Sequence, residues 1–198
     1  FWGRRTLVGA GYDYTDGSRK ASVNTFFTKT LRSGFLNQGT FVSLSPRYYW
    51  VRGIEARASQ GVNLGASHHE IGIGYRYIDE SSHELRYRET TASGQLPTVS
   101  SRNDRDTRGK TEAHAVYLDD RIDWGLWTIT PGVRYERIDQ QQINVLTGRP
   151  FKGDYSTALP ALNVLYRLDE GWNLYANTEG SFGSVQYSQM PNRVRQGL

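Results

Sequence analysis

From Trp127 onward the chain alternates without a slip. Trp127, Ile129, Pro131, Val133 and Tyr135 fall on one side of an extended backbone, and Thr128, Thr130, Gly132, Arg134 and Glu136 on the other. Successive side chains of a strand point to opposite faces, so this segment has one apolar, aromatic face and one polar, charged face. A half-buried strand of a soluble protein alternates too, but its apolar face is usually aliphatic. Here aromatic residues stand near both ends of the apolar face with smaller residues between them. That arrangement is expected where the face meets lipid and its ends meet the two interfaces. The stretch 112–118 joins this segment through a short turn at 122–125, so the two read as a hairpin of a transmembrane β-barrel.

The same period predicts eight strands along the chain. Residues 5–15 place Thr6, Val8, Ala10, Tyr12 and Tyr14 outward, and Asp16-Gly17 turns into a second strand at 21–31. A third covers 47–58. The fourth turns His69, Ile71, Ile73, Tyr75 and Tyr77 outward against Glu70, Gly72, Gly74 and Arg76 inward. The hairpin supplies the fifth and sixth. The seventh has Ala158, Pro160, Leu162, Val164 and Tyr166 outward, and the eighth occupies 172–180. Short connections at 16–17, 59–67, 122–125 and 169–171 alternate with long polar ones at 32–46, 79–110 and 139–155. Tight turns on one rim and long loops on the other belong to outer-membrane barrels, and spans of about ten residues suit a tilted crossing of the hydrocarbon. Within 79–110, His83, Leu85 and Tyr87 alternate with Glu84, Arg86 and Arg88, so strands four and five are expected to extend beyond the membrane. The predicted fold is all-β, an up-and-down antiparallel sheet. The alternatives are a general porin-type channel and a soluble carbohydrate-binding β-sandwich whose Tyr and Trp stack on sugars.

Composition narrows the chemistry. Mean hydropathy is −0.64, and no apolar run approaches the roughly 18 residues that a membrane helix needs, which leaves a barrel open. Aromatics make up 13% of the chain, with 13 Tyr and 5 Trp, more than a soluble enzyme needs and ordinary for interfacial girdles. With no Cys, disulfides, thiolate zinc sites and Cys nucleophiles are excluded. His68 and His69 are neighbours on a strand, face opposite ways and cannot share a metal; His69 and His114 are expected in the aromatic-polar belts. Asp119, Asp120 and Asp123 read as a solvated turn. No Ser or Thr stands beside a His and an acid in a recognisable pattern. The glycines of GIGYRY (72–77) read as small lumen-facing residues, because no helix follows to make a phosphate cradle.

What remains is arginine. The net charge is only +4, but Arg32, Arg47, Arg86, Arg88, Arg102, Arg105, Arg108, Arg149 and Lys152 all fall in or beside the long connections. Most are expected to pair with loop carboxylates or with lipopolysaccharide phosphates. Arg32 and Arg47 differ, because they bracket one loop at the ends of two adjacent strands. A strand end fixes a guanidinium better than a loop tip, and planar forks match carboxylates bidentately, so this pair could hold a polycarboxylate anion.

The stretches WTITPGVRYERID (127–139), SRNDRDTRGKTEAHAVYLDDRIDWG (101–125), LPALNVLYRL (159–168) and WNLYANTEGSFGSVQYSQMPNRV (172–194) closely resemble TonB-dependent outer-membrane receptors. SPRYYWVRGIEARAS (45–59) and the segment 66–110 resemble those that take ferric citrate. The resemblance runs over nearly the whole chain and weakens at RQGL. It implies a barrel of about 22 strands, with this chain, 1–198, a middle portion holding roughly a third of them. The plug domain and TonB box are not found in it. The chain starts at Phe1 without a signal-peptide pattern, and the expectation is an excerpt of a longer precursor. The resemblance further implies a carrier in the bacterial outer membrane and not an enzyme, with ferric citrate as ligand. Outer-membrane lipid and lipopolysaccharide surround it, TonB engages parts of the receptor outside this segment, and nucleic acid has no role. The arginines that grip citrate in the family map onto Arg32, Arg47 and Arg105. No cofactor is implied, since iron travels as its citrate chelate without a direct bond to protein.

Overall fold

A computed structural model of the chain describes residues 1–169 and 171–183. Its strands are β1 (Trp2–Asp16), β2 (Arg19–Ser33), β3 (Phe35–Asn37), β4 (Phe41–Leu44), β5 (Arg47–Leu64), β6 (Ser67–Thr90), β7 (Arg102–Trp124), β8 (Trp127–Asn144), β9 (Arg149–Asp169) and β10 (Trp172–Glu179). Among the described residues they form a single sheet in the order β1-β2-β5-β6-β7-β8-β9-β10, with β3 paired to β4 and β4 to β6. Every pairing is antiparallel. A sandwich needs two sheets packed face to face, so the soluble sandwich reading is set aside.

The register carries the alternation from strand to strand. Val133 lies opposite Leu118 and Pro160, Tyr135 opposite Val116 and Ala158, and Trp127 opposite Trp124 and Tyr166. Through β6 the same face continues in Ile73 and Tyr75, opposite Leu118 and Val116. This apolar band is the open side of the sheet: Val133 is 44% and Tyr135 50% exposed. The opposite side is crowded, with Thr128 at 9% and the Glu136 side chain at 14%. A sheet this apolar on its open face and this charged on its crowded face is arranged for lipid outside and a polar lumen inside. The outward assignment of Trp127, Ile129, Val133, Tyr135, Ile71, Ile73, Tyr75, Leu162 and Val164 therefore stands. So does the inward one of Thr128, Thr130, Arg134, Glu136 and Arg76.

Connection lengths differ from the expectation. The connection expected at 59–67 shrinks to a two-residue turn after Leu64, and the one at 122–125 moves to Gly125-Leu126. The long connection at 79–110 is mostly strand, leaving 91–101 between β6 and β7, as the alternation within it suggested. The loop expected at 139–155 is absent: β8 and β9 continue to a four-residue turn at 145–148. The stretch 32–46, expected as a long polar connection, contains the β3–β4 hairpin. Of the turn expected at 169–171, Glu170 lies outside the described residues. Crossing the membrane takes about 9–11 residues, whereas β6 has 24 and β7 has 23. The surplus projects past the band on the rim opposite the tight turns. There the outward face turns charged, with Arg52 on Asp79 at 2.6 Å and Arg137 on Asp154 at 3.3 Å.

The tight turns depend on glycine. Gly65 and Gly125 adopt φ of 61° and 57°, where a Cβ is strained. Gly125→Val is therefore expected to cost about 1–2 kcal/mol, read as a lower urea midpoint for the refolded full-length receptor, while Leu126→Ala at the neighbouring turn position shifts it little.

Candidate functional site

Register brings the arginine pair together. Arg32 near the end of β2 lies directly opposite Arg47, the first residue of β5, and Arg47 lies opposite Glu84 of β6. Glu84 in turn faces Thr107 of β7. Directly opposed residues of an antiparallel ladder share a face, so Arg32, Arg47, Glu84 and Thr107 form one row on the lumen side. The row stands at the rim beyond the apolar band. One step further out, Arg105 of β7 opposes Arg86. All three sequence-predicted arginines thus share one face, on β2, β5 and β7, with β6 between the last two.

Glu84 is the centre of this group. Its Oε1 accepts from the Tyr49 hydroxyl at 2.8 Å, and its Oε2 lies 3.9 Å from Arg105 Nη1. Burial and the hydrogen bond to the Glu84 carboxylate push the Tyr49 phenol up to about 12, with Arg47 pulling weakly the other way. Tyr49 therefore stays a neutral donor across the physiological range.

The arginines differ in how firmly they are held. Arg86 grips Asp104 through two bonds of 2.7 and 3.2 Å, and Arg88 reaches the same carboxylate while stacking 3.8 Å above the Phe41 ring. Their charges are spent within the protein. Among the described residues neither Arg32 nor Arg47 forms an ion pair with a carboxylate; Arg32 lies 5.4 Å over the Phe1 ring. Among the described residues the Arg105 guanidinium has only its long approach to Glu84 as an ion pair. The scaffold around the pair is firmer than the expected loop. Leu85 N–H donates to the Pro46 carbonyl at 2.9 Å, and Phe41 to Leu44 pair with Thr90 to Tyr87. Arg149, expected in a solvated loop, instead opens β9 opposite Asn144.

Below the rim the lumen face is a network of ion pairs. Arg57 meets Asp119 at 2.7 Å and Lys20 meets Glu70 at 2.9 Å, while Tyr117 donates to Glu55 at 3.1 Å. A Cβ at Gly74 would fall 2.0 Å from the Tyr117 ring, and one at Gly72 would fall 2.6 Å from Arg57 Nη2. The glycines of GIGYRY let these large side chains lie across β6, which is the small-residue role expected of them.

Two expectations about polar residues are corrected. Asp119, Asp120 and Asp123 do not form a solvated turn but belong to β7. Alternation sends Asp119 inward to Arg57 and Asp120 outward to His69, at 2.7 and 2.8 Å, and Asp123 accepts from Thr128. A serine does meet a histidine and an acid: Ser67 Oγ is 3.0 Å from His69 Nε2, whose Nδ1 is 2.8 Å from Asp120. Only register could reveal it, because Asp120 is 51 residues from His69. The Ser67 hydroxyl spends its one proton on the Leu64 carbonyl at 2.9 Å, so it faces His69 as an acceptor. This orders an outward-facing polar cluster near the tight-turn rim and leaves no base for a nucleophile. His114 sits in the opposite aromatic belt as expected, 2.7 Å from the Tyr75 hydroxyl and 4.9 Å from the Tyr77 ring.

Comparison with known proteins gives this geometry relatives. The family model described as TonB dependent receptor-like, beta-barrel matches residues 1–196. The solved structure of the ferric citrate transporter FecA in its unliganded form is 58% identical, with a TM-score of 0.95 over 99% of this chain and 30% of that one. The siderophore receptor PiuA from Acinetobacter baumannii is 13% identical, with a TM-score of 0.69 over 85% of this chain and 30% of that one, and shares the fold. The ferrioxamine B receptor of Salmonella typhimurium is 26% identical over 145 residues, 67% of this chain and 20% of the receptor. The chain thus spans less than a third of the length of these relatives.

Proposed function

The chain belongs to the TonB-dependent receptor family, and on that premise we propose that it is part of the barrel wall of a transporter that binds ferric citrate at the Arg32–Arg47–Arg105 rim and imports it with energy delivered through TonB. The family resides in the bacterial outer membrane, in keeping with the outward apolar band. The observation that carries the ligand reading is the pair of directly opposed guanidiniums, Arg32 and Arg47, on the lumen face without carboxylate partners among the described residues. Like charges directly opposite each other destabilise a sheet, and a polycarboxylate bridging them would relieve that repulsion. Likeness to the ferric citrate transporter over 99% of this chain supports the same ligand.

In this mechanism the protein never touches iron. Guanidinium forks neutralise the carboxylates of the chelate through charge-assisted hydrogen bonds, and Tyr49, its one proton donated to Glu84, holds that carboxylate in place within the row. The complete receptor supplies a plug domain and a TonB box from sequence outside this segment, and the plug moves when TonB pulls, releasing the chelate inward. Cells whose sole ferric citrate receptor is the full-length protein should accumulate labelled iron from ferric citrate, and loss of TonB should abolish that uptake. Purified full-length receptor should bind ferric citrate saturably in detergent; binding that never saturates would overturn the reading.

A further inference from the structure

A carboxylate already stands inside the proposed carboxylate site. Glu84 is flanked by Arg47 on one side and approached by Arg105 from the next strand. It is held differently from the other rim acid. Both oxygens of Asp104 are engaged by the fork of Arg86, and Arg88 Nε reaches Oδ2 as well. Glu84 has one oxygen anchored by Tyr49 at 2.8 Å, and the other lies 3.9 Å from Arg105, outside hydrogen-bond reach. The anchor fixes the side chain, whose exposure is only 15%, so the charge cannot swing away into solvent.

We propose that Glu84 is a built-in counter-charge that sets the selectivity of the rim by net charge. With Arg32, Arg47 and Arg105 positive and Glu84 negative, the local sum is +2 where the arginines alone would give +3. An incoming anion takes Arg105 from a weak internal partner and must approach a fixed negative charge. The site therefore accepts chelates of moderate negative charge and disfavours more highly charged polyanions, such as polyphosphate, that three uncompensated arginines would capture. Specificity comes from a repulsive element placed beside the attractive ones. This inference rests on the arginine rim being the ferric citrate site.

The test is ferric citrate binding to full-length receptor in detergent, comparing wild type, Glu84→Gln and Arg47→Ala over a series of salt concentrations, with binding of iron-free tripolyphosphate measured separately. Glutamine keeps an acceptor for the Tyr49 hydroxyl and removes only the charge. Expected for Glu84→Gln are an affinity higher by about fivefold, the order for one partly screened charge several ångströms away, a steeper fall of affinity with salt, and a larger gain still for tripolyphosphate. A merely structural role would lower affinity and leave the salt slope unchanged. If Arg47→Ala weakens binding but Glu84→Gln leaves both affinities and the salt slope as in wild type, or loosens binding, the counter-charge is wrong and the ligand site stands. If wild type does not bind, or Arg47→Ala binds like wild type, the site itself is wrong and the inference falls with it.

Discussion

Arg47→Ala is expected to weaken ferric citrate binding by about ten- to a hundredfold. A hydrogen bond to a charged group contributes about 1.5–3 kcal/mol, and each 1.4 kcal/mol or so is a factor of ten in affinity. Arg47 should show the effect most clearly because it stands between Arg32 and Glu84, with no carboxylate among the described residues to which its charge is already committed. Arg32→Ala and Arg105→Ala should each lose binding in the same range. Arg47→Lys keeps the charge but loses the planar fork, so its loss should lie between wild type and alanine. Arg149→Ala is the control: Arg149 continues the same lumen-facing row through Thr107 and Asn144 but stands on β9, four strands from Arg47, and its removal should change affinity little. Titration of full-length variants in detergent at fixed ionic strength reads the result, since exposed charges are screened. Three single alanine variants that bind as tightly as the parent would remove the anion clamp and leave the fold untouched.

Leu118→Arg should cost about 2–4 kcal/mol of folding free energy in a bilayer, because charge on the lipid face is penalised most at mid-depth. Leu118 lies in the middle of the outward band, opposite Ile73 and Val133. Ser156→Arg is its partner experiment. Ser156 shares the outward face but pairs with Arg137, one row beyond the Tyr135–Ala158 pair, where the band gives way to charge. Its cost should be only about 0–1 kcal/mol, the value for the interface. Denaturant titration of the full-length receptor folded into vesicles measures both. Equal costs at the two positions would mean that the open face does not meet lipid.

The fold was legible because alternation is a property of each strand alone. Trp127 to Tyr135 declares its two faces whatever its neighbours do, and Ile71 to Tyr77 does the same. Two of the tight turns were legible in part, since Asp16-Gly17 and the glycine at 125 mark backbone that only glycine adopts without strain. The strand ends were not legible. Residues 139–144 and 149–155 carry polar residues on both faces, with Ile143, Pro150, Phe151 and Tyr155 too scattered to alternate, and in water a paired polar ladder and a solvated loop call for the same residue types. Backbone hydrogen bonds to the adjacent strand decide between them, and a single segment does not encode its partner.

The candidate site divides the same way. Sequence by itself placed Arg32 and Arg47 at the ends of neighbouring strands, because each stands where an alternating segment meets a polar stretch, and resemblance added Arg105. Only the tertiary structure decided that Arg32 faces Arg47 and that Arg47 faces Glu84. It alone decided that Glu84 takes the Tyr49 hydroxyl and the loose approach of Arg105. The same holds for Ser67, His69 and Asp120, which register draws into one cluster. The physical reason is that a shift of one residue between strands sends every side chain to the other face. Which charge meets which is therefore written in the pairing of segments tens of residues apart, while the faces themselves are written locally.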